Sequence, residues 1–268
     1  MVIANLLGGF GNNLFQIANI INISKKLKVE YKTTGIPSRG SAGNFNGNDF
    51  EFDRIFLPLE NFIDKNINCT KVYAHYDLNG DFRYREVPLL DNTCYEGYFQ
   101  SEKYFSDINV KDFFKFKKEL LLHVSQKYQL DNNKKYTTLH CRFGGDRDNP
   151  DTQHYHKNVS KDFYIKSLSM APESDFKFLI SDNIRLAKEI LENEVSNLIY
   201  VDESMENSFA LMSLCNYNII GNSTFSWWAS YLNLNEDSLT IAPKNEWFGP
   251  GNKNLLLDDL FPNRWICL

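Results

Sequence analysis

The sequence predicts an α/β protein made of two halves around a cleft, each half carrying a parallel sheet. Three observations point there. The chain opens as strand, glycine loop and helix: apolar residues 3–7, then Gly8-Gly9-Phe10-Gly11, then Leu14, Ile17, Ala18 and Ile21 at helical spacing. From Tyr136 onward, short apolar strands alternate with amphipathic helices, the pattern of a parallel sheet. Between the halves lies the polar run Leu130-Asp131-Asn132-Asn133-Lys134-Lys135. It reads as a linker, so the expected domains are 1–133, on the acceptor side, and 134–268, binding the donor. The last residues are expected to pack back on the first domain.

Taken in order, residues 29–32 read as a second strand. Residues 35–50, with Gly35, Pro37, Gly40, Gly43 and Gly47, read as a surface loop. A strand at 95–99 leads toward a helix near Glu102. Residues 111–128 read as one helix, with Phe113, Phe116, Leu120 and Val124 on its apolar face. The second half reads as a strand at 136–141, a polar loop at 143–160 and a helix at 161–169. Then come a strand at 176–180, a helix at 184–194, a strand at 198–201 and a helix at 209–214. A strand at 218–220, a helix at 225–232 and a strand at 240–242 complete it.

Composition narrows the function. With 268 residues, 43% hydrophobic and 24% charged, the chain can bury one large core or two moderate ones. A net charge of −5 argues against a nucleic-acid partner. No apolar run reaches the roughly 18–20 residues that span a bilayer. The N-terminus shows no basic region or cleavage site, so a cytoplasmic location is expected. The cysteines (Cys69, Cys94, Cys141, Cys215, Cys267) are odd in number and widely spaced, so neither a disulfide framework nor a zinc site is expected.

The candidate chemistry sits at strand ends. Ser223-Thr224-Phe225 lies where a strand turns into a helix. Unpaired N–H groups and the positive end of the helix dipole meet there, which suits a phosphate; a plain N-cap is the alternative. Arg142 ends the first strand of the second half, where its planar fork can grip a phosphate or form a surface ion pair. His140, on the same strand, is either a core histidine or a site residue. Asp182 can accept two N–H groups from a guanine edge or cap the next helix. Gly9 and Gly11 fit the start of a dinucleotide fingerprint, but Leu14 stands where its third glycine belongs. Glu30 stands about 20 residues on, where a ribose-binding acid is expected, so an oxidoreductase remains an alternative. Asp146-Arg147-Asp148 matches a metal-holding Asp-x-Asp and His154-x-His156 lies nearby, but no supporting ligand set is evident and no metal is expected.

Four blocks, in order, resemble the α-1,2-fucosyltransferases of glycosyltransferase family 11. Gly8-Gly9-Phe10-Gly11-Asn12-Asn13-Leu14-Phe15-Gln16-Ile17-Ala18 resembles the family's opening G-G-L-G-N-Q-M-F-Q-Y-A. Gly97-Tyr98-Phe99-Gln100-Ser101-Glu102-Lys103-Tyr104-Phe105 resembles G-Y-W-Q-S-E-K-Y-F. His140-Cys141-Arg142 resembles the start of H-x-R-R-G-D, and residues 211–215 through Asn222-Ser223-Thr224-Phe225-Ser226-Trp227-Trp228 match the family's most specific stretch. The resemblance implies a GT-B-like fold of two Rossmann-like domains, GDP-fucose as donor, inversion at the anomeric carbon and no required metal or other cofactor. The implied partners are a GDP-sugar and an oligosaccharide or polysaccharide acceptor.

By the same resemblance, His140 and Asp182 face the guanosine, and Arg142 holds the β-phosphate. Ser223, Thr224 and Phe225 line the pyrophosphate site. Gly11 counts among the donor-binding residues, and Asn12 serves the donor phosphate or the reacting centre. The chain departs from the pattern at Phe143, where the family has a second arginine, and at Gly144-Gly145, which adds a residue before Asp146. If the second arginine normally binds phosphate, another cation must replace it. Asp146 is the first candidate for the base, with Glu102 and Asp148 behind it. Two alternatives stand beside this reading: a transferase using another GDP-6-deoxyhexose, and a non-catalytic sugar-nucleotide or glycan-binding protein.

Overall fold

The computed structural model describes residues 1–33, 52–59, 62–64, 67, 69–75, 82–252 and 254–268, and only the backbone at Asp146 and Asp148. The loop expected at 35–50 lies outside the described residues. The chain forms two compact units, Met1–Phe116 with Leu255–Pro262, and Lys117–Asn254 with Asn263–Leu268.

In the first unit, strands β1 (Val2–Asn5), β2 (Tyr31–Thr33), β3 (Val72–His75) and β4 (Thr93–Gly97) form a parallel sheet in the order β2-β1-β4-β3. Helix α1 (Phe10–Leu27) follows the glycine loop and is buried over most of its surface, including Asn13, Gln16, Asn19 and Asn22. Buried amides need partners. Gln16 finds them at the strand ends: its Oε1 accepts the Leu7 N–H at 2.9 Å and its Nε2 donates to the Gly97 carbonyl at 3.0 Å. The unit also holds the short helix α2 (Phe52–Ile55).

The sequence-predicted helix at 111–128 is cut. A 3-10 turn at Val110–Asp112 is followed, after a break, by helix α3 (Lys118–Lys127). The chain changes units after Phe116, and this divides the apolar face. Phe114 and Phe116 pack on Phe52 and Phe56 of the first unit, with ring centroids 5.0–5.5 Å apart. The break thus falls before α3, whereas the polar run at 130–135 lies inside the second unit.

Cys69 and Cys94 are joined by a disulfide, with Cα atoms 5.8 Å apart. This corrects the expectation that the cysteines stay unpaired. Parallel pairing of β3 with β4 brings Lys71 against Cys94, and Cys69 lies two residues before Lys71.

The second unit's sheet runs β10-β9-β8-β5-β6-β7, all parallel. Its strands are β5 (Tyr136–Cys141), β6 (Phe176–Ser181), β7 (Leu198–Val201), β8 (Tyr217–Ile219), β9 (Leu239–Ala242) and β10 (Ile266–Cys267). Helices α5 (Lys161–Met170), α6 (Ile184–Leu191), α7 (Met205–Leu214) and α8 (Thr224–Tyr231) fall close to their predicted places. The loop expected at 143–160 instead holds a 3-10 turn, Gly145–Asp148, and helix α4 (Pro150–Tyr155). The missed signal is Asn149-Pro150, a cap residue followed by proline at the first helical position. No helix among the described residues is long and apolar enough to cross a membrane.

Candidate active site

The residues of the second unit converge at the carboxyl ends of its central strands. Register explains the first contact: Cys141 of β5 lies opposite Ser181 of β6, so Arg142 and Asp182 follow side by side. Asp182 Oδ2 pairs with Arg142 Nη1, and Oδ1 accepts the N–H groups of Phe143 at 2.8 Å and Gly144 at 2.9 Å. Helix α6 is capped by Asn183, whose Oδ1 accepts the Leu186 N–H at 3.1 Å. Asp182 is therefore not the cap; it organises the loop that follows β5.

The departures at 143–145 have a packing reason. Phe143 is buried in the core and meets Tyr164 edge-on, with centroids 6.3 Å apart, so this position faces inward. A side chain at Gly144 would start 2.9 Å from the Asp182 carbonyl oxygen. Gly145, at φ +66°, sits over Arg142, and a Cβ there would lie 3.4 Å from the guanidinium. The extra glycine lets the loop pass over the arginine.

Ser223 caps α8, with its Oγ accepting the Phe225 N–H at 3.3 Å. The local alternative, a plain N-cap, is what the structure shows, and the other first-turn N–H groups lack acceptors within the helix. Phe225 lies between two rings, 5.6 Å from His140 and 5.3 Å from Phe209. Gly221 brings α8 close: a Cβ there would stand 2.7 Å from the His140 carbonyl oxygen and 3.4 Å from its Nδ1.

His140 is buried, and its Nδ1 has no hydrogen-bond partner among the described residues. Burial first, then the charges of Arg142 and Arg147, pushes its pKa down to about 3. In the first unit, burial and then Arg85 push His75 down to about 4. Both rings are neutral at pH 7. An unfolded histidine titrates near 6.5, so the unfolded chain binds more protons between the folded values and 6.5. Their contribution to stability is present above pH 6.5 and falls as pH drops. The urea midpoint is expected to fall from pH 7 to pH 5, with a smaller fall in His140→Gln. An unchanged pH dependence in that variant contradicts the assignment.

Sequence reasoning missed Arg147 except as the middle of an Asp-x-Asp. Its side chain is buried and donates to the Lys157 carbonyl and to both oxygens of Asn222. Nothing local marks this position, because its partners are far along the chain. Asp146 lies on the same 3-10 turn, but its side chain is outside the described residues.

Asn12 and Gly11 lie in the first unit, in the first turn of α1. Asn12 Oδ1 accepts the Gln100 Nε2 hydrogen at 2.8 Å. Gly8, at φ +72°, lies under Asn12: a Cβ there would meet Asn12 Nδ2 at 2.5 Å. Glu30 precedes β2 and so lies at the amino end of that strand. Ligands in open α/β sheets gather at the carboxyl ends, so the ribose-binding role is withdrawn. His154 and His156 lie beside Gly251 and Phe248, and no group of three or more His, Cys, Asp or Glu that could hold a metal occurs among the described residues.

The sequence model of "Glycosyl transferase family 11" matches residues 48–268. The chain belongs to this family. Among curated proteins, this family 11 chain is 26% identical to the O-antigen biosynthesis glycosyltransferase WbnK of Escherichia coli, over 96% of this chain and 98% of that one. It is 24% identical to an α-1,2-colitosyltransferase of Escherichia coli, over 99% and 98%. Among solved structures it is similar to the fucosyltransferase NodZ from Bradyrhizobium (TM-score 0.54, 13% identity, 86% of this chain and 92% of that one). It is also similar to POFUT1 in complex with GDP (TM-score 0.53, 12% identity, 90% and 96%). At such identities the likeness shows the fold, which is GT-B-like, α/β with parallel sheets. The family 11 chain is a glycosyltransferase.

Proposed function

We propose that the chain transfers L-fucose from GDP-fucose, with inversion, to a galactose-type hydroxyl of a glycan, forming an α-1,2 linkage. The observation that carries the donor half is the convergence of Arg142, His140 and the capped start of α8 at one end of one sheet. The acceptor oxygen attacks the anomeric carbon while the bond from that carbon to the β-phosphate oxygen breaks. The acceptor proton passes to a base and GDP leaves with the bonding pair. Arg142 and the positive start of α8, where Ser223, Thr224 and Phe225 line the pyrophosphate site, stabilise the charge that develops on GDP. No metal or other cofactor takes part. His140 and Asp182 serve the guanosine side, Gly11 and Asn12 the donor phosphate or the reacting centre, and Asp146 takes the proton. The proposed location is the cytoplasm, free or at a membrane surface.

A second donor is favoured by one observation, the relative named as an α-1,2-colitosyltransferase. Colitose lacks one hydroxyl of fucose, so the two donors differ only on the sugar. A binding protein without catalysis is the reading of another class. A GDP-release assay separates all three: GDP-fucose and GDP-colitose are offered with β-galactosides, with and without EDTA. Faster release with GDP-fucose, dependent on the galactoside and unaffected by EDTA, is expected. Preference for GDP-colitose moves the donor, EDTA sensitivity overturns the metal-free mechanism, and release from neither donor with any acceptor leaves only binding.

A further inference from the structure

We propose that Arg147 is the positioning residue of the nucleotide-phosphate site: it fixes the peptide that leads into α8 and so aims the first N–H groups of that helix. The inference rests on the reading of the second unit as a GDP-sugar site.

Arg147 follows the two-glycine turn after Arg142 and Phe143, and only 5% of the residue stays exposed. Three bonds of its fork lie among the described residues. Nη1 donates to the Lys157 carbonyl at 2.7 Å and to Asn222 Oδ1 at 3.2 Å, and Nη2 donates to the Asn222 carbonyl at 3.2 Å. Asn222 closes the arrangement, with Nδ2 donating to the carbonyls of Lys157 at 2.8 Å and Trp247 at 3.1 Å. The Asn222 carbonyl belongs to the peptide whose nitrogen is that of Ser223, the cap residue. Holding that carbonyl therefore sets the plane from which the cap and the first turn proceed.

A helix start alone is no site, but a second observation points to a ligand here. His140 Nδ1 is buried, has no partner among the described residues and lies beside Gly221, one residue before Asn222. Taking a guanidinium out of water is costly unless its hydrogens are used. A planar fork can reach two oxygens of one residue at once, whereas an ammonium cannot match that geometry. With Phe143 turned into the core, the two cations of this loop divide their work. Arg142 stays half-buried at the surface with Asp182, and Arg147 is buried and braces the peptide that leads into α8.

The test is GDP binding by titration calorimetry, with donor and acceptor KM and thermal unfolding, for wild type, Arg147→Lys and Arg147→Gln. Loss of a charge-assisted pair of bonds is expected to weaken GDP binding by roughly 10- to 100-fold in Arg147→Lys. Donor KM should rise in parallel, with acceptor KM unchanged. Arg147→Gln keeps a planar donor group, is expected to lose less, and serves if the lysine variant does not fold. A merely structural role lowers the folded fraction and kcat without moving GDP affinity. A folded variant of either kind with wild-type GDP affinity and donor KM overturns the inference alone. Wild type that binds no GDP overturns the donor reading, and this inference with it.

Discussion

Replacing Arg142 with alanine is expected to lower kcat/KM by roughly 100- to 1000-fold, about 3–4 kcal/mol of transition-state stabilisation. Breaking the bond between the sugar and the β-phosphate leaves negative charge on GDP, and the proposed mechanism assigns no metal to it. Arg142 is placed for that task by three features. It follows the last residue of β5, its guanidinium pairs with Asp182, and the residue lying against the guanidinium, Gly145, has no side chain to crowd it. Lysine at the same position is expected to restore little, because a point charge cannot pair with both Asp182 and a phosphate as the planar fork can. The fold should survive either change: Asp182 keeps the N–H groups of Phe143 and Gly144, and the arginine side chain is partly exposed. GDP release at saturating acceptor, on variants shown to be folded, measures the effect. Near-normal turnover in Arg142→Ala removes this residue from the mechanism.

The second large effect concerns stability. Trp227→Ala is expected to cost about 3–5 kcal/mol, the range for truncating a buried large aromatic. The residue is 0% exposed, stacks on Tyr231 with centroids 4.7 Å apart, and meets Trp228 at 5.1 Å and Trp265 at 5.2 Å. Trp265 belongs to the final segment, which returns to the second unit and adds β10 beside β9. Losing Trp227 therefore loosens both α8, the helix that starts at the proposed phosphate site, and β10. Urea unfolding reads the loss, and Trp227→Phe should give back part of it. Donor KM in Trp227→Phe is expected to stay near wild type, because the ring is core and offers no face to a sugar. An unchanged midpoint in Trp227→Ala sinks this account.

The run Asn222 to Trp228 thus divides by depth. Ser223, Thr224 and Phe225 form the helix start, Trp227 and Trp228 are core, and Asn222 is a brace. Sequence pattern placed the run at a strand-to-helix turn, because that placement needs only local periodicity and a cap residue. It did not assign Asn222, whose partners Arg147, Lys157 and Trp247 are distant in sequence.

The same distinction runs through the molecule. Alternating apolar strands and helices are local features, so the α/β class, the parallel sheet of the second half and the positions of His140 and Arg142 at the end of β5 could be read from residues alone. The family motifs, also linear, carried the enzyme class. What depends on register or on long-range closure was decided only by tertiary structure. The pairing of β5 with β6 sets Arg142 against Asp182 and takes Asp182 away from the cap of α6. The change of units after Phe116 breaks a helix that periodicity had joined, because Phe114 and Phe116 find their partners on α2. The Cys69–Cys94 bond and the burial of Arg147 have the same origin. Each is a contact between residues far apart in the chain, and a sequence records such a contact only through residues that say nothing of one another until the backbone brings them together.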